Sequence, residues 1–179
     1  MKWRLRNMTP LPTFKVVGEP VDLAGAVELA NQSRYEFQYW AVHKIDGQPY
    51  GNRKKGADTG IDGFRYYTDE KDKVKRAIIS VKSGAVHVDM IRDLGHVIER
   101  EKADIGIFLT LEPPTTPMIA EATLKGFYRS PNGQQYPRLQ IYTIEEALAG
   151  KMINIPGWIA PITAPPRRPR SAGKTERLL

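Results

Sequence analysis

The chain contains no cysteine, which excludes disulfides, thiolate zinc centres and cysteine nucleophiles and fits a reducing, cytoplasmic setting. It has no apolar run near the roughly 20 residues that a membrane-spanning helix needs. The basic opening Met1-Lys2-Trp3-Arg4-Leu5-Arg6 is not followed by the apolar stretch of about 7 to 15 residues that marks a secretion signal. His43, His87 and His96 lie too far apart for a His-Glu-x-x-His zinc motif. Nucleotide hydrolysis and dinucleotide binding find no support either, because neither a Gly-x-x-x-x-Gly-Lys-Ser/Thr loop nor a strand followed by Gly-x-Gly-x-x-Gly is present. A Gly-x-Ser-x-Gly nucleophile elbow is missing as well.

What remains is 179 residues, 41% hydrophobic and 26% charged, enough for one domain with its own core plus tails. The formal charge of +7 suits a polyanionic partner, but the last fifteen residues hold five cations (Arg167, Arg168, Arg170, Lys174, Arg177) against Glu176 alone, so the body is only mildly basic. Three stretches follow from composition. Residues 1–20, with Pro10, Pro12, Gly18 and Pro20, form a lead-in segment in which Thr13–Val17 reads as a short strand. Residues 21–155 form the domain. Residues 156–179, with Pro161, Pro165, Pro166 and Pro169, have too little apolar content to offset their ordering entropy and are expected to be a mobile tail.

Inside the domain, Asp22 reads as a helix cap before Leu23, Ala26, Val27 and Ala30, and Ser33-Arg34-Tyr35-Glu36 has the form of a capping box opening a second helix through Trp40 and Val42. From Asp46 to Gly63 the glycines and the Arg53-Lys54-Lys55 centre indicate a basic loop. Phe64–Tyr67 and Ala77–Val81 read as strands, with polar Thr68–Lys73 as the hairpin turn between them. Val88–Lys102 places Met90, Ile91, Leu94, Val97 and Ile98 on one helical stripe. Ile105–Leu111 is an almost continuous apolar run, the pattern of a strand buried on both faces among parallel neighbours. Pro117 to Gly126 brackets a further helix, Leu139–Tyr142 a last strand, and Thr143–Glu146 a capping box closed by Gly150. The fold class is α/β, a mixed central sheet flanked by helices.

Chemistry concentrates on the hairpin. Side chains alternate faces along a strand, so Ser80 and Lys82 share a face opposite to Val81, and a paired neighbour brings Asp62 beside them. The runs Lys54–Gly63 (KKGADTGIDG), Ile78–Lys82 (IISVK), Val88–Leu94 (VDMIRDL), Glu99–Ala103 (EREKA), Gly126-Phe127-Tyr128 and Tyr136–Ile141 (YPRLQI) resemble the restriction-endonuclease-like superfamily with its PD-(D/E)xK motif. More narrowly, they resemble the Mrr-like domain found on site-specific DNA methyltransferases. The likeness runs from about Val16 to Ile155.

The resemblance implies a metal-dependent DNA endonuclease of a restriction-modification or methyltransferase system. Asp62 and the main chain at Val81 would hold Mg²⁺ or Mn²⁺, with Ser80, Lys82 and, on the first helical unit, Glu36 completing the catalytic set. Ser80 stands where the superfamily has Glu, Asp or Gln, so a second reading stays open: a weakly active or inactive DNA-binding, target-positioning domain. Arg53, Lys54, Lys55, Arg65 and Arg92 are the candidate DNA contacts, neutralising phosphates. Asp58, Glu36 and Glu28 are the acids available to replace a carboxylate at position 80, although Glu36 also fits the Ser33 cap and Glu28 a solvated helix face. Tyr66, Tyr67 and Trp40 are more readily core than base-stacking groups. DNA is the expected partner, with a methyltransferase or a second copy of the chain in a homodimer as further ones. An Asn/Asp-Pro-Pro-Tyr/Phe motif is absent, since Pro113-Pro114 lies between Glu112 and Thr115, so methyl transfer by this chain is not expected.

Overall fold

The computed structural model describes residues 18–51, 60–70 and 73–157. The strand expected at Thr13–Val17, the basic loop carrying Arg53, Lys54, Lys55 and Asp58, and the tail beyond residue 157 lie outside these.

Helix α1 (Leu23–Gln32) starts where the Asp22 carboxylate accepts the Gly25 N–H at 2.8 Å. Ser33 then ends α1 and, accepting the Glu36 N–H at 3.2 Å, opens α2 (Arg34–Lys44); a single short polar residue turns the chain between two helices. Strands β1 (Gln48–Pro49), β2 (Gly63–Glu70) and β3 (Lys73–Lys82) form an antiparallel meander. The hairpin is longer than its polar composition indicates: residues expected in the turn belong to both strands. The ladder pairs Thr68 with Val74 and Glu70 with Lys73, and Lys75 bonds across it to Asp69 at 3.2 Å.

Helix α3 (Val88–Arg100) buries Ile91, Leu94, Val97 and Ile98 and exposes Arg92, Asp93, His96 and Glu99, as its periodicity requires. It leads to β4 (Gly106–Thr110), in which every residue is buried. Helix α4 (Thr116–Leu124) has Pro117 in its first turn, and Gly126 leaves it at φ 73. A ribbon of β5 (Phe127–Arg129) and β6 (Gln135–Pro137) follows, then β7 (Leu139–Thr143) and the short α5 (Ile144–Leu148), which begins with a complete Thr143/Glu146 capping box.

The main sheet has the order β1-β2-β3-β4-β7, antiparallel from β1 to β3 and parallel from β3 to β7. One face packs Ala77, Ile79, Val81, Ile107 and Leu109 against α1, α2 and α5. The other packs Ile78, Phe108 and Leu139 against α3 and α4. The result is a three-layer α/β/α domain. Strand β3 is the seam where the two pairing modes meet.

Candidate functional site

The seam determines what happens at the end of the hairpin. Even-numbered residues of β3 turn their peptide groups toward β4: the Ile78 N–H donates to the Ile105 carbonyl at 3.0 Å, and the Lys82 carbonyl accepts the Leu111 N–H at 3.0 Å. Odd-numbered peptides therefore turn toward β2. The last cross-strand pair there is Gly63 with Ile79, so Val81 has no partner residue in β2. Asp62 takes the vacant place. Its N–H donates to the Ile79 carbonyl at 2.9 Å, and its Oδ2 accepts the Val81 N–H at 2.6 Å, a charge-assisted hydrogen bond. The Val81 carbonyl, on the same edge, has no donor among the described residues.

Ser80 and Lys82 point to the α3 face, as their parity requires, while Val81 is fully buried in the opposite core. Ser80 is only 4% exposed and sits beside Phe108 in the parallel register. Lys82 is half-buried, and its ammonium makes no hydrogen bond or ion pair among the described residues. A carboxylate oriented by a peptide N–H, a carbonyl and an ammonium, the last two without partners among the described residues, thus share the end of one hairpin. Tyr50 adjoins them, its N–H donating to the Asp62 carbonyl at 2.9 Å and its ring resting edge-on against Phe64 at 5.2 Å.

Close backbone approach makes this possible. A Cβ on Gly63 would lie 2.6 Å from Val42 Cγ1 and 2.9 Å from the Gln48 carbonyl oxygen. Only glycine lets the end of α2 press on the residue after Asp62.

The other sequence-predicted residues are distributed differently. Glu36 is exposed in the first turn of α2, about 9 Å along the helix axis from Val42, and no hydrogen bond among the described residues joins it to Asp62, Ser80 or Lys82. Arg65, expected to face DNA, does not: it is 4% exposed, its Nη1 donates to the Ile45 carbonyl and its Nη2 lies 3.8 Å from Asp46. Its odd position on β2 directs it under the C-terminal end of α2, where a cation offsets the unpaired carbonyls. Burial pulls its pKa down, opposed by Asp46 and Tyr142. Arg92, also expected at DNA, is exposed but bonds Asp89 at 2.8 Å and Glu121 at 3.1 Å, so it ties α3 to α4 rather than presenting unmatched positive charge. Tyr67 and Trp40 are core residues, and Glu28 accepts a hydrogen bond from Gln32 on the surface of α1.

Sequence reasoning missed a polar knot at the far end of the hairpin. The Tyr128 hydroxyl donates to Asp69 and accepts from Lys75 at 2.6 Å. Lys75 also reaches Asp104 at 3.1 Å, and Tyr67 donates to Asp104 at 3.4 Å. Burial works against the Lys75 charge, but the hydrogen bonds with Tyr128, Asp104 and Asp69 outweigh it and its pKa rises. Burial, with Asp104 adding, also raises that of Tyr67. A cross-hairpin Asp69–Lys75 pair was legible in the polar run; Tyr128 and Asp104 come from distant sequence.

Among the described residues no three acidic or histidine side chains gather to hold a metal. Asp62 and the Val81 carbonyl nevertheless form a hard-oxygen pair of the type magnesium accepts, with waters and substrate oxygens able to complete the shell.

A search among curated proteins finds no match. A family model described as restriction endonuclease, Mrr_cat, matches residues 29–126, a span that runs from the end of α1 through α4 and includes Asp62, Ser80 and Lys82. That covers more than half of the chain, which therefore belongs to the Mrr-type restriction endonuclease family.

Proposed function

We propose that this domain is a metal-dependent DNA endonuclease acting within a restriction-modification or DNA-methyltransferase system. Family membership supports nuclease chemistry. The observation that carries the assignment of residues is the 2.6 Å bond from the Val81 N–H to Asp62, which fixes the carboxylate on the ladder edge next to Lys82. Asp62 and the Val81 carbonyl would hold Mg²⁺ or Mn²⁺, an ion that supplies a hydroxide-like nucleophile and polarises the phosphodiester. Lys82, a compact cation on a flexible stem, binds a phosphoryl oxygen and stabilises the charge that develops there. Ser80 contributes a neutral hydroxyl to the same face. Arg53, Lys54 and Lys55 add phosphate neutralisation.

A second reading rests on one observation, the neutral serine at position 80. Under it, the domain binds DNA and positions it for a partner methyltransferase. Nicking of methylated and unmethylated plasmid with Mg²⁺ or Mn²⁺ separates the two. Catalysis predicts cutting by the wild type and loss with Asp62→Ala and with Lys82→Ala. Cutting that survives both substitutions refutes the assignment of residues. Salt-sensitive DNA binding without cutting selects the second reading.

A further inference from the structure

At the opposite end of β3 from Lys82 the strand overhangs its parallel partner. Pairing with β4 begins only at Ile78 with Gly106, so residues 73–77 face the α3–β4 loop instead of a strand. The gap is a cavity of about 470 Å³ lined by Lys73, Lys75, Arg76, Lys102, Asp104 and Tyr66, among others. Asp104 is the one carboxylate among those lining it.

Two cations here are available to a ligand. Arg76 lies over the Phe64 ring at 4.7 Å and gives only Nη2 to Glu101 at 3.2 Å, leaving its other guanidinium donors unused among the described residues. Lys102 makes no ion pair with a described residue. It also holds φ 52, the left-handed helix-ending position that glycine fills best; its N–H donates to Glu99 and the Ala103 N–H donates to Ile98. A lysine there carries a backbone cost that a glycine would not. By the alternation of the ladder, the Arg76 peptide also faces the cavity, and its N–H has no acceptor among the described residues.

The cavity opens at the other end of β3 from Lys82, and between the two ends Ile78 and Ser80 are buried on the α3 face. Arg76, Ser80 and Lys82 lie on one face of β3, and Tyr50, Phe64 and Tyr66 form a row of rings beside them, with Phe64 and Tyr66 at 6.4 Å. Six residues of strand separate Arg76 from Lys82, about 20 Å.

We propose that this cavity is a second phosphate-binding site, in which Lys102, the Arg76 guanidinium and the Arg76 N–H grip a backbone phosphate of the DNA other than the one at Lys82. It rests on the reading of the domain as DNA-acting. The test uses the full chain carrying Asp62→Asn, with fluorescence anisotropy of a labelled 30-base-pair duplex between 50 and 200 mM salt. Arg76→Ala with Lys102→Gly is compared with a charge-matched control, Arg34→Ala with Lys44→Ala, two exposed cations on α2. Lys102→Gly relieves the left-handed backbone, so retained melting temperature rules out misfolding as the cause of any loss. The expected result is weaker binding with a salt slope lower by about one, an effect absent in the control. Slopes equal to the control overturn the proposal while leaving the DNA reading intact. Binding of inorganic phosphate at Lys102 with DNA affinity unchanged also overturns it. Failure of the parent chain to bind DNA at all sinks the DNA reading instead, and this proposal with it.

Discussion

Replacing Gly63 by alanine tests whether the site is built by the approach of α2 on the start of β2. The new Cβ would stand 2.6 Å from Val42 Cγ1, 3.1 Å from Val42 Cγ2 and 2.9 Å from the Gln48 carbonyl oxygen. Overpacking of this kind costs about 1–3 kcal/mol, and the backbone oxygen, which no rotamer change can move, places Gly63→Ala near 3 kcal/mol. For a chain of this size that lowers the melting temperature by about 6–12 °C. Val42 is fully buried, and Val42→Ala removes two methyl groups at about 0.8 kcal/mol each plus a small cavity term, about 2 kcal/mol in all. The double variant removes two of the three clashes, so its loss should fall short of the additive sum by at least about 1 kcal/mol. Urea denaturation of the four proteins measures this coupling. Additivity within about 0.5 kcal/mol would refute the steric argument, as would a Gly63→Ala protein as stable as wild type. A plasmid-nicking assay on the same set reads the consequence for Asp62: activity should fall with Gly63→Ala and recover in part in the double variant.

Arg65→Met should destabilise by about 1–3 kcal/mol, because the Ile45 carbonyl loses its donor; the salt slope of DNA binding should not change, and a reduced slope would return Arg65 to the DNA surface. Tyr128→Phe removes the hydroxyl that joins Asp69 to Lys75 and should cost about 1–3 kcal/mol by thermal melting, with nicking unaffected. Glu146 has its pKa lowered: burial opposes this, but Lys151 at 2.5 Å and the Thr143 N–H win. Its stabilisation is therefore present above the ordinary glutamate value of about 4.3 and is lost as pH falls through the lower folded value. Melting curves from pH 6 to 3 should show a shallower acid decline for Glu146→Gln than for wild type.

Much of this arrangement was legible in the sequence where a single period dominates. The 3.6-residue stripe of α3 and the unbroken apolar run of β4 gave both element type and burial, and strand parity gave the shared face of Ser80 and Lys82. Arg65 was misread because parity says which residues share a face but not which face a helix will cover. The tie of Arg92 to Glu121 on α4 was not legible because it joins residues 29 apart in the chain. The β5–β6 ribbon was missed because its strands are only three residues long, too short to show a period in the sequence. The polar hairpin end was read as a turn because its stabilising contacts come from Asp104 and Tyr128, outside any local window.

The carboxylate and the peptide it grips are 19 residues apart, within a hairpin that closes on itself, whereas β4 and β7 join through helical crossovers. Local pairings carry less loop-closure entropy and tend to form earlier in folding. The Asp62–Val81 contact thus belongs to the segment with the lowest contact order in the sheet. Substitutions at it should slow refolding more than equally destabilising ones in the β4–β7 ladder, which should mainly speed unfolding. Assembly of the reactive geometry would then precede, rather than follow, completion of the domain around it.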